Sequence, residues 1–181
     1  MLNIAQLDGG PSNLKLTLLE AHAADCDLSL VLCNFMHWLL VDPDEGVIKF
    51  APDKKIIQDV ADLYTAKIRG EEVTNYQWLV AGDEATHQSK RWSRVAAKQA
   101  CKTAAAAADI YQEGFTIYNC GGSFSDRYCN VADTACSEHS DAYGFSKDSL
   151  TKDVDDWSNA RKNQAEKLNQ LLNEVTEWPI Y

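Results

Sequence analysis

The sequence predicts an all-α protein: a single compact helical bundle of about five to seven helices over residues 1–181, with one long alanine-rich helix. Three observations carry that reading. Apolar residues recur every three to four positions through most of the chain. Helix start and stop residues punctuate the pattern at intervals that suit ordinary helix lengths. Ala104 to Ala108 run unbroken, and alanine has the highest helix propensity.

The elements follow in order. Residues 1–12 read as an arm with a turn at Gly9-Gly10-Pro11. From Asn13 the pattern is helical, with a break near Asp25 to Asp27, where Asp27 is placed to cap a second helix. Leu28, Leu32, Phe35, Met36 and Leu39 form its apolar face, and Asp42-Pro43-Asp44-Glu45-Gly46 stops it. Pro52-Asp53 opens the next helix, with Ile56, Val60, Leu63 and Tyr64 inward and Gly70 as its stop. Thr74 and Gln77 have capping-box spacing for a short helix carrying Trp78 and Leu79. Gly82-Asp83 reads as a joint, and the long helix is expected from about Asp83 to Tyr111. Residues 114–127 form a polar loop rich in glycine and aromatics. A helix through Tyr128, Ala132, Ala135 and His139 follows and ends at Gly144. The last helix starts near Thr151 or Asp153, buries a stripe including Ala160, Leu168, Leu171 and Leu172, and ends before Trp178-Pro179.

Composition narrows the function classes. With 27 acidic and 17 basic side chains the net charge is −10, which repels membrane surfaces and nucleic-acid backbones at long range. No basic flank precedes an apolar run at the N-terminus, and the longest apolar stretch, Phe35 to Val41, is too short to span a bilayer. We therefore expect a cytoplasmic protein with no membrane contact, its six cysteines reduced and mostly buried.

Charge is unevenly distributed. Residues 1–88 carry −8 and residues 109–181 carry −7, while residues 89–108 carry +5 from Lys90, Arg91, Arg94, Lys98 and Lys102 with no acid among them. Lys90, Arg94, Lys98 and Lys102 recur every four residues and are expected to make one stripe on the long helix. Such a strip is either a solvated face or a docking site for a partner; the acidic surroundings weigh against direct nucleic-acid binding. A second candidate surface is the group Phe115, Tyr118, Phe124 and Tyr128 beside Gly121-Gly122, since aromatics dominate protein-binding hot spots.

No metal and no cofactor are expected. Cys129, Cys136 and His139 share a helical face near Cys120, but ligands seven residues apart stand about 10 Å apart along a helix, too far for one tetrahedral ion. Gly121-Gly122-Ser123 lacks the spacing of a phosphate-binding loop. Catalytic pairings can be assembled from His139 with Asp141, or His87 with Asp83 and Glu84, with Cys120 or Cys136 as nucleophile. Histidine beside a carboxylate is expected by chance in so acidic a chain.

Pro52 through the alanine run, with a helix ending in Arg69-Gly70-Glu71, a short helix and then an alanine-rich helix, resembles alanine-rich helical proteins of phages and bacteria, some of the immunity type. Gln164 to Leu172 is similar to their terminal helix. The likeness covers roughly two thirds of the chain. It implies a small accessory protein that binds another protein, in a host cytoplasm if phage-encoded. The expected function is thus a non-enzymatic module that inhibits a specific protein partner, with a homodimer open because an alanine face can pack across a twofold axis. The alternatives are a small Cys/His-dependent enzyme and an acidic inhibitor that mimics DNA.

Overall fold

The computed structural model describes residues 29–112 and 150–176, and within them the chain forms five α-helices, one 3₁₀ turn and no strand. These are α1 (Ser29–Val41), the 3₁₀ turn Val47–Phe50, α2 (Lys54–Ile68), α3 (Asn75–Arg91), α4 (Val95–Gln112) and α5 (Leu150–Thr176). The all-α class is as predicted. The arm at 1–12, the loop at 114–127 and the helix expected around 128–143 lie outside the described residues.

Local chemistry sets most of the boundaries. α1 ends where Asp42 turns its carboxylate onto the backbone N–H groups of Asp44 and Glu45, at 3.0 and 2.9 Å. Gly46 closes that turn by donating to the Asp42 carbonyl at 2.8 Å, and a Cβ there would stand 2.4 Å from Asp42 backbone atoms. Asp53 caps α2 by accepting from the Lys55 N–H. At the other end Gly70, at φ +74°, permits a Schellman closure in which Glu71 N–H donates to the Ala66 carbonyl and Gly70 N–H to that of Lys67. The predicted Thr74–Gln77 capping box is present in both directions, with Gln77 N–H donating to Thr74 Oγ1 and Thr74 N–H to Gln77 Oε1.

Two sequence expectations need correction. Gly82-Asp83 is not a joint: α3 runs through it, and Gly82 lies on the buried stripe Trp78, Gly82, Ala85, Ser89. The long helix is instead two, because the chain leaves helical geometry at Trp92 (φ −93°, ψ 129°) and resumes at Val95. The alanines of α4 then face back into the chain rather than across a twofold axis, with Ala97, Ala100, Ala104, Ala107 and Ala108 at most 2% exposed. α3 and α4 share the most extensive helix–helix contact among the described elements. Small residues line the buried side of each, Gly82, Ala85 and Ser89 on α3 and Ala97, Ala100 and Ala104 on α4, and small residues permit close helix approach.

The centre of this packing is aromatic. Trp78 stacks on Tyr111 with centroids 4.6 Å apart, and Tyr64 meets both rings edge-on at 4.9 and 5.6 Å. Their polar tips are satisfied inside the core: Tyr64 donates to the Ala107 carbonyl at 2.8 Å, and Tyr111 shares a 2.8 Å hydrogen bond with Cys33 Sγ. Around them α1 supplies Leu32, Phe35, Met36, Leu39 and Leu40, and α2 supplies Ile57, Val60 and Ala61. α5 packs on α1, bringing Leu168, Leu171 and Leu172 into the same core, and Asn163 donates to Glu45 at 2.8 Å.

Candidate functional site

The corner between α3 and α4 gathers the cations. Lys90 and Arg91 occupy the last turn of α3, where the helix dipole favours positive charge. Arg94 stands at the N-cap position of α4, its carbonyl accepting from the Lys98 N–H at 3.0 Å. The first turn of α4 holds no acid, so Arg94 and Lys98 sit at a helix's positive pole, where the dipole opposes them. All five cations, Lys102 included, are exposed, and among the described residues none is in an ion pair.

The break at residues 92–94 redraws the predicted stripe. Lys90 belongs to one helix, Arg94 to the connection and Lys98 and Lys102 to the next. Only the last two keep the i, i+4 relation on one helix, on the side away from buried Ala97, Ala100, Cys101 and Ala104. The result is a basic corner with a short arm along α4, rather than a straight strip.

Away from this corner, the first turns of α3 carry exposed apolar side chains on the outer surface. Tyr76 is 72% exposed, Val80 49% and Leu79 43%, at i, i+4 and i+3 on one face, with Val95 also 49% exposed next to Arg94. Their signal was available: Trp78, Gly82, Ala85 and Ser89 fill the inward side of α3, and an amphipathic helix has only one. The other predicted surface, Phe115, Tyr118, Phe124 and Tyr128, lies outside the described residues.

The catalytic pairings find little support among the described residues. His87 is exposed, and Glu84, its proposed carboxylate, accepts instead from Gln88 at 2.8 Å. His37 is half-buried, and burial lowers its pKa below 6.5 while Asp62 pulls the other way. Cys33 and Cys101 are buried thiols, and Cys33 is engaged with Tyr111. Burial also holds the Tyr64 hydroxyl well above its ordinary value of 10.0, so it stays a neutral donor. No group of three or more His, Cys, Asp or Glu among the described residues could hold a metal ion; Cys120, Cys129, Cys136 and His139 lie outside them. A shallow depression on α5 is lined, among the described residues, by Glu166, Asn169, Gln170, Asn173 and Glu174, all from one helix. No helix among the described residues is long and apolar enough to cross a membrane.

No family model, curated protein or solved structure matches this chain.

Proposed function

We propose that the chain is a non-enzymatic protein-binding module whose basic corner docks a partner protein. The carrying observation is the α4 start. Arg94 and Lys98 oppose the helix dipole, no acid offsets them, and none of the five cations is in an ion pair among the described residues. Exposed cations that oppose a helix dipole and have no ion-pair partner among the described residues are well accounted for by a contact outside the chain.

The chemistry of the corner defines the partner. Five cations in one window favour a carboxylate-bearing surface, and exposed Val95 adds apolar contact area next to Arg94. The residues outside the window carry −15 in total, which disfavours a long polyanion such as duplex DNA and suits a compact partner that meets the corner at short range. In its finer form, drawn from the resemblance to immunity-type proteins, the module neutralises its partner, as a phage antagonist of a bacterial defence system would.

The test is an affinity pull-down from bacterial lysate read by mass spectrometry. It compares the wild type with a Lys90→Glu, Arg94→Glu, Lys98→Glu, Lys102→Glu variant. One stoichiometric partner lost in the variant is the expected result. A partner retained at full level removes the corner from the interface and moves attention to Phe115, Tyr118, Phe124 and Tyr128. Capture of no partner by the wild type counts against a binding module.

A further inference from the structure

We propose that the outward face of α3 also joins two copies of the chain as an antiparallel pair. Opposite the buried stripe of α3, the residues Tyr76, Val80, Asp83, His87 and Lys90 step by four, three, four and three, so they form one exposed ridge. Exposed Glu71 and Glu72 lead into this face, and exposed Lys90, Arg91 and Arg94 lead out of it. The face thus has an acidic N-terminal end and a basic C-terminal end, with Tyr76, Leu79 and Val80 and then the acids Asp83 and Glu84 between them.

The two ends of this face are complementary to each other when the helix is reversed. A twofold axis perpendicular to α3 sets Glu71 and Glu72 of one copy against Lys90 and Arg91 of the other, twice per dimer, with Tyr76, Leu79 and Val80 around the crossing. An axis near Val80 leaves the two Asp83 carboxylates about 7 Å apart along the helices, a like-charge contact that, with exposed Glu84 beside it, opposes the pairing. A second copy is favoured over an unrelated partner because both complementary halves are present on the same surface of this chain. One helix face buries less than the roughly 800 Å² per partner of a standard interface, and each copy carries −10. The dimer is accordingly weak, with Kd on the order of tens of micromolar.

Sedimentation equilibrium of the purified full chain from about 1 to about 300 µM spans that range. We expect a monomer–dimer equilibrium whose Kd rises at least about tenfold in Tyr76→Asp. Glu71→Lys with Glu72→Lys should weaken the dimer, as should Lys90→Glu with Arg91→Glu. Mixing these two double variants in equal amounts should restore association, since each then meets opposite charge at both contacts. All these side chains are exposed and the Thr74 cap is untouched, so unchanged far-UV circular dichroism verifies the fold of each variant. A monomer throughout the range overturns the proposal, as does a dimer indifferent to Tyr76→Asp or a mixture no tighter than either double variant alone. No partner protein enters this measurement, so its failure is distinguishable from failure of the partner-binding reading.

Discussion

Two helix starts in this molecule are built on opposite terms. α3 begins at a complete capping box, with Thr74 and Gln77 satisfying each other's backbone donors. α4 begins at Arg94, a residue with no acceptor to cap with, followed by a first turn without an acid and by Lys98. The two starts belong to the same tightly packed helix pair, so the difference is not one of quality of folding. Small and aromatic residues fill the inner faces of that pair, and the cations that oppose the helix dipole fall at one exposed corner. Local rules broken where packing makes no demand point to selection for something other than stability.

Predictions can break or sharpen that contrast. The largest effect belongs to the inner face: Trp78→Ala should cost about 3–5 kcal/mol in urea unfolding, since it empties a site 1% exposed between Tyr64 and Tyr111. A cost under about 1 kcal/mol would mean that the aromatic centre is not the keystone of the packing. Next is Gly46→Ala, where the new methyl must displace the Asp42 backbone; about 1–3 kcal/mol is expected, read the same way. The sharpest comparison is Arg94→Asp. It supplies the missing cap and reverses the charge at the helix pole, so it should stabilise the chain by about 0.5–1 kcal/mol while weakening partner capture. Destabilisation would show that Arg94 is held for the fold.

The smallest effect is one of pH. The folded His37 imidazole has its pKa below 6.5 because burial disfavours its charge. The unfolded chain therefore takes up the proton first, and stability should fall as pH drops below 6.5, levelling once the folded imidazole protonates too. His37→Gln should remove that component from a series of urea midpoints. A wild-type profile identical to the variant's would refute it.

The same contrast explains what could be read from the sequence. The bounds of α2 were legible because Asp53 and Gly70 act through their own atoms, one as a cap and one as a positive-φ stop. The all-α class and most of the core followed from periodicity, as Ile56, Val60 and Tyr64 illustrate. The α3–α4 break did not, because residues 92–94 contain neither glycine nor proline. The spacing of small residues also runs through them in phase, Ser89, Ser93, Ala97, Ala100 and Ala104 stepping by four, four, three and four, although Ser93 is exposed in the fold. Two helices folded back on each other with matching small-residue stripes read like one long helix. Gly82, which does look like a joint, lies instead on the buried side of α3. The cations of the candidate site were found from composition alone, but their arrangement as a corner depended on that break. Tyr76 and Val80 are legible as outward-facing only once Trp78, Gly82, Ala85 and Ser89 are placed inward.

The hydrogen bond between Cys33 and Tyr111 spans 78 positions of the chain, whereas α3 and α4 are joined by three residues. Closing a long loop costs entropy that only later contacts repay, while a short connection closes on the ~10–100 ns scale. The α3–α4 hairpin is thus the natural nucleus, and α1 is recruited onto it afterwards. Substitutions such as Ala104→Gly in the hairpin should slow refolding, and those at Cys33 should chiefly hasten unfolding.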